Sequence, residues 1–371
     1  MDRCLPLLQS RFAAVNVLIN FDDLLLSFFG LLRDYAEAQI SALPATSVEN
    51  LYRASMTSLY LMRNRFRPRS DANGEQLTLR NDEETYKIDS LIIALDLLNE
   101  LSTKDFIFSD TDSGSDPLGT VSEAVLAGLE ILVPLIRTDQ MHPYTQLQEK
   151  YFSVLAFMMN SCPDLLAMRI SQAEEGKLFL RNIFLHCLSG CAALEGYVAR
   201  LAIEVVHAMV KFQIDKQRNG GLGFGQALAG PEGDMISMGF TIFFDHIFGP
   251  SPLPSDRLDA AASALMMFIA YDINRLSAFS ENLPLNCCTR IHRKAIDSLL
   301  VSYFLNCRFN GLVQDAVTTK QSPGQQQRFL DLFTRLVSNR GVRMGDISRQ
   351  NRSEFAKNLR EFMADARSSS L

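Results

Sequence analysis

Apolar side chains recur along this chain with the spacing of helices rather than of strands. The clearest case lies between Tyr86 and Asp116. Ile88, Leu91, Ile92, Leu95 and Leu98 fall at i, i+3, i+4, i+7 and i+10, which is one face of a 3.6-residue period. Ile93, Leu97 and Leu101 form a second apolar stripe, and only Asp89, Asp96 and Glu100 leave a narrow polar face. A helix apolar over so wide an arc must touch several neighbours. It runs into Ser102–Pro117, a polar, acidic stretch that cannot continue it.

The same period predicts helices over Phe12–Asn20 and Phe21–Gln39, the latter with Leu24, Leu25, Phe28, Leu31, Leu32 and Tyr35 on its apolar stripe. Pro44 breaks the pattern, and Ser47 reads as the N-cap of a helix over Val48–Phe66. That helix carries Leu51, Tyr52, Ser55, Leu59 and Met62 on one side. Val121–Ile136 follows the acidic loop, with Pro134 set to kink or end it. Tyr144–Asn160, Leu165–Ile170, and a pair over Lys177–Ser189 and Leu194–Phe212 joined at Gly190 come next. After a glycine-rich loop at Asn219–Gly233, helices are predicted over Met235–Phe248, Asp256–Phe279 (capped by Ser255), Arg290–Cys307, Gln325–Val337 and Ser353–Ala366. Gly249-Pro250-Ser251-Pro252 separates the first two of these. In the last, Phe355, Leu359, Phe362 and Met363 share a face.

No stretch alternates with period two. The expected class is all-α, and the helices fall into pairs of roughly 40 residues, the repeat length of HEAT- or armadillo-like units. The expectation is one α-solenoid over residues 1–371, stacked antiparallel helix pairs coiled into a right-handed superhelix. It is interrupted by an acidic inter-helix loop at 102–120 and a glycine-rich loop or insertion at 219–233. In such an array each pair buries its faces only by stacking on its neighbours.

Composition narrows the partners. Of 371 residues, 47% are hydrophobic and 21% charged, enough to bury a large core. The net charge of −6 argues against general nucleic-acid binding. Seven cysteines in a chain this long point to reduced thiols rather than a disulfide framework. Asp2, Arg3 and Pro6 open no signal-peptide layout, and the apolar runs stop well short of the roughly 20 residues that span a bilayer. The expectation is a soluble intracellular protein.

Candidate chemistry is sparse. The glycines of Asn219–Gln226 are entered by a helix, not a strand, and no Lys-Ser or Lys-Thr follows, so a linker is favoured over a phosphate cradle. Asp110, Asp112, Gly114 and Asp116 lack the glycine and glutamate positions of a calcium loop. Ser109 and Ser113 each precede an aspartate by three residues, the pattern of an acidophilic phosphorylation site. His186, Cys187, Cys191 and His207 lie within apolar helices rather than on converging loops, so no zinc site is expected. Cys287-Cys288 near His292 lacks an activating constellation. No catalytic set and no cofactor motif emerge. The residues assigned to partner contact are the loop aspartates Asp105, Asp110, Asp112 and Asp116 and the basic run Arg63, Arg65 and Arg67, a run whose other reading is a solvated helix end facing its own dipole.

Two stretches carry a resemblance. Leu101-Ser-Thr-Lys-Asp-Phe-Ile-Phe-Ser-Asp-Thr-Asp112 resembles the loop Leu-Ser-Lys-Glu-Phe-Ile-Asp-Phe-Ser-Asp-Thr-Asp of export receptors in the importin-β (karyopherin-β) family. Phe355-Ala-Lys-Asn-Leu-Arg-Glu-Phe-Met-Ala364 resembles the closing helix of the same receptors. Ala124–Pro134, Asn50-Leu-Tyr52 and Tyr86 fall in the matching order. The similarity corresponds to the C-terminal part of such a receptor. It lacks the family's acidic residue between Ile107 and Phe108 and carries Asn219–Gly233 as an insertion. It implies a HEAT-repeat carrier that shuttles between nucleus and cytoplasm, contacts nuclear pore proteins and binds Ran-GTP and protein cargo. The cargo it implies is the hypusinated translation factor 5A and Smad-type proteins. It implies no membrane and no nucleic-acid contact. The alternative is a non-transport helical-repeat scaffold for protein–protein interaction.

Overall fold

The computed structural model describes residues 21–39, 45–66, 81–103, 117–171, 173–230, 233–248, 254–281 and 348–369, together with positions 324, 328, 331, 332, 335 and 336. The chain divides into two compact units, Met1–Leu201 and Ala202–Leu371, where the periodicity alone suggests one array. The helices expected over Phe12–Asn20 and Arg290–Cys307 lie outside the described residues, as does most of Gln325–Val337.

The first unit is built from α1 (Phe21–Gln39), α2 (Ala45–Phe66), α3 (Asn81–Thr103), α4 (Pro117–Leu132), a single turn α5 (Thr138–Met141), α6 (Thr145–Ser161), α7 (Pro163–Ser171) and α8 (Glu174–Gly190). In α1, Asp22 and Asp23 occupy the first turn, where carboxylates suit the positive end of the dipole. Its buried stripe is Leu25, Phe28, Phe29, Leu32 and Ala36, while Leu24 and Leu31 are exposed. The apolar face is therefore narrower than its composition suggests, because α3 covers it from one side. Helix α2 begins directly after Pro44, so Ser47 sits inside its first turn rather than ahead of it. Proline disrupts a helix interior but is well suited to its start. Leu51, Tyr52, Ser55, Leu59 and Met62 are buried together as their spacing predicts. The hydroxyls of Ser55 and Ser58 donate to the carbonyls of Leu51 and Ala54, both at 2.8 Å, which satisfies them inside the core.

Helix α3 is the element the unit packs around. It lies against α1, α2, α4 and α6, and Ile88, Leu91, Ala94, Leu95, Leu97, Leu98 and Leu101 are all buried. Close packing with α4 depends on Gly128. A Cβ there would come within 2.7 Å of a Leu98 methyl and 3.3 Å of Leu59. Pro134 ends α4 as expected: the chain turns through a 3₁₀ segment, Val133–Leu135, and Ile136 N–H donates to the Val133 carbonyl at 3.1 Å.

The packing alternates. Helix α3 contacts both α1 and α6, and α4 contacts α2, while sequence neighbours α1 and α2, α3 and α4, and α6 and α7 also pack together. These packed helix pairs are compatible with a helical-repeat fold.

Helix α9 (Gly196–Asn219) contains the boundary between the units. Asn219–Gly230 is a structured turn. Gly220 takes a positive φ of 67°, and Gly221 N–H donates to the Lys216 carbonyl at 2.9 Å. That is the six-to-one bond of a helix stop in which the left-handed residue must be small. Phe224 then folds back, fully buried, onto Phe212 with ring centroids 4.8 Å apart. A one-turn α10 (Gly225–Leu228) leads to a two-residue antiparallel ladder, β1 (Ala229–Gly230) with β2 (Gly233–Asp234). The second unit continues with α11 (Met235–Phe248), α12 (Ser255–Glu281) and α13 (Arg349–Ser369). Phe240 and Phe243 pack on Phe268, and α13 covers α12 with Phe355, Leu359, Phe362 and Met363 buried. Apart from that ladder, the described elements are all helical. Among the described residues, no helix is long and apolar enough to cross a membrane.

Candidate functional site

Of the residues assigned to partner contact, Asp105, Asp110, Asp112, Asp116 and Arg67 lie outside the described residues, as do Cys287, Cys288 and His292. Arg63 and Arg65 are described, and they differ. Arg63 is exposed at the end of α2. Arg65 is part-buried and paired within the fold. Its Nε and Nη2 donate to the two carboxylate oxygens of Asp22, each at 3.0 Å, and Nη2 also reaches Glu83 at 3.4 Å. The hydrogen bond to Asp22 holds the guanidinium above its ordinary pKa. A bidentate pair of this kind fixes orientation as well as charge, so Arg65 fastens α2 to α1 and α3.

A second inter-helix charge cluster was hidden in the polar face of α3. Asp96 is half-buried between Lys150 of α6, at 2.5 Å, and Arg33 of α1, at 3.6 Å. Asn99, one turn on, donates to the Lys150 carbonyl at 3.0 Å. Asp96 and Asn99 thus make this part of α3 a seam joining three helices, while Asp89 stays exposed. Lys87 is also buried, and desolvation lowers its pKa.

The histidine–cysteine cluster in α8 is closed. His186 Nδ1 and the Tyr151 hydroxyl share a buried hydrogen bond of 3.0 Å, with their rings edge to face. Burial pushes the His186 imidazole down to about 4 and the thiols of Cys187 and Cys191 up. The Cys191 thiol donates to the Cys187 carbonyl at 3.1 Å. Thiolate is the form that attacks or ligates, and this environment disfavours it. His207, on α9, is likewise held near 4 by burial and then by Arg352 and Lys211. Among the described residues, no group of three His, Cys, Asp or Glu side chains is placed to hold a metal ion.

A further feature is an open cleft between α4 and α7. Its volume is about 510 Å³, and it is lined by Glu123, Ala124, Leu126, Ala127, Leu165, Met168 and Arg169. Arg169 bridges the two helices, donating to Glu130 at 3.0 and 3.4 Å. This bond, with Glu123 and Tyr60 acting from further off, holds the guanidinium above its usual pKa. Met168 is 53% exposed and Tyr60, of α2, 50%. Periodicity carries no sign of this cleft, because the alanines that line it are ordinary helix formers. Such a surface holds apolar and charged contacts but no converging acid, base and nucleophile. No family model matches the sequence, and no solved structure matches the chain.

Proposed function

We propose that the chain is a protein-binding helical-repeat region of an importin-β-type nuclear transport receptor, resembling exportin-4. On this reading it carries protein cargo together with Ran-GTP between nucleus and cytoplasm. The observation that carries the reading is the paired resemblance at Leu101–Asp112 and Phe355–Ala364. The alternating packing of α1, α3 and α6 with α2 and α4 supports it. In a solenoid, stacked pairs touch only their neighbours, so the array bends as a spring. Two ligands that favour the same curvature then strengthen each other's binding, and loss of one releases the other. Hydrolysis of GTP on Ran supplies that release. The net charge of −6 steers basic partners to the surface.

The test is retention of the hypusinated translation factor 5A on the immobilised full chain, with Ran loaded with GTP or with GDP. The transport reading expects retention with the GTP form only. Partners held equally in both nucleotide states would instead establish the scaffold reading. No cargo retained in either state defeats the transport reading.

A further inference from the structure

The cleft between α4 and α7 has an apolar floor and a biased charge. Ala124 and Ala127 form its floor, and half-exposed Met168 stands in its wall. Small residues set beside exposed large ones are the layout of a groove that accepts side chains from outside. Glu123 and Glu130 lie seven residues apart on α4, two turns along one face and about 10 Å along the axis. The sequence of α4 contains no lysine, arginine or histidine. Across the cleft, α7 supplies one cation, Arg169, which is bonded to Glu130. Its bridge to Glu130 is largely solvent-exposed, and exposed pairs are weak and exchange readily. Among the described residues at the cleft, two carboxylates face one guanidinium, a net negative charge.

We infer that the α4–α7 cleft is a docking groove for an amphipathic helical segment of a partner protein. The segment seats apolar side chains over Ala124, Ala127 and Met168 and places a basic residue against Glu123. The charge argument selects a basic segment over an acidic one, because an acidic one meets Glu123 unpaired and must compete with Glu130 for Arg169. Leucine- or methionine-sized anchors suit a floor made of two alanines. The inference rests on the protein-binding reading above but not on Ran or on any particular cargo.

The experiment is fluorescence anisotropy with the full chain and two short fluorescein-labelled amphipathic peptides. Both have leucines at i, i+3, i+4 and i+7. One carries lysines on the flanks, and the other carries glutamates at the same places. Saturable binding of the lysine peptide alone is expected. Glu123→Lys, at an exposed position, and Ala127→Phe, which fills the floor, should each weaken it about tenfold. Circular dichroism verifies that both variants are folded. Equal binding of the two peptides, or no binding of either, overturns the inference. So does a loss confined to Glu123→Lys, because attraction to the acidic surface alone predicts that Ala127→Phe changes nothing. Nucleotide-dependent cargo retention measured on Ala127→Phe separates the two proposals. If the unsubstituted chain binds neither peptide yet Ala127→Phe still retains cargo with Ran-GTP, the groove is removed and the transport reading stands.

Discussion

Helices α3 and α13 have similar lengths and opposite manners of packing. Helix α13 shows one clean stripe, Phe355, Leu359, Phe362 and Met363, and lays it on α12. Helix α3 is apolar nearly all round and is enclosed by α1, α2, α4 and α6. Their charges follow the same division. On α13, Arg360 pairs with Asp259 of α12 in solvent. On α3, Asp96 is withdrawn between Lys150 and Arg33. The width of the apolar arc thus reports how many neighbours a helix has, and the number of neighbours decides how much its polar residues matter.

The strongest way to break this contrast is Leu98→Ala. Leu98 is buried under Gly128, and truncating an enclosed leucine costs about 2–5 kcal/mol through lost burial and the cavity left behind. The loss is expected in urea denaturation followed by circular dichroism. Acid gives a similar effect without mutation. His186 is held near 4 in the fold, against an ordinary 6.5. The unfolded chain therefore binds the extra proton first, and stability falls as pH drops from about 6.5 towards 4. The full loss from this one group is about 3 kcal/mol. His186→Phe, which cannot titrate, should make that part of the pH–stability curve shallower, leaving the share of His207, whatever its effect at neutral pH.

Asp96→Ala comes next. It leaves part-buried Lys150 without its close acceptor, while Arg33 keeps Asp34, at a cost of about 1–3 kcal/mol. Asp259→Ala on the α12–α13 surface should cost less than about 1 kcal/mol, since both partners are wet. If Asp259→Ala proves as costly as Asp96→Ala, neighbour number does not set the value of a charge pair here.

Legibility in the sequence followed the same line. Helices whose apolar residues reach their ends were placed closely: Phe21–Gln39 and Met235–Phe248 coincide with the observed bounds. Helices with polar ends were read short. The first turn of α3, from Asn81, and that of α13, from Arg349, contain no apolar residue to start the period, and the tail of α9 beyond Phe212 is largely polar. Acidic residues in a first turn are stabilised by the helix dipole, a force that hydrophobic spacing does not record. Arg65 read as part of a basic run and Asp96 as part of a narrow polar face for a related reason. Their partners, Asp22, Glu83, Lys150 and Arg33, lie on other helices, and periodicity says which face is apolar but not which helix will meet it. The Arg169–Glu130 bridge was missed on the same ground. Of the assigned contact residues, the four loop aspartates remain outside the described residues.

The enclosure of α3 also has a consequence for biosynthesis. A ribosome releases the chain from its N-terminus, so α1 and α2 emerge well before the helix that shelters them. Until Leu101 has left the exit tunnel, Phe28, Phe29 and Leu32 lack the cover that α3 provides. The nascent first unit is a natural client for a chaperone during that interval, and a translational pause placed before residue 81 would prolong its exposure.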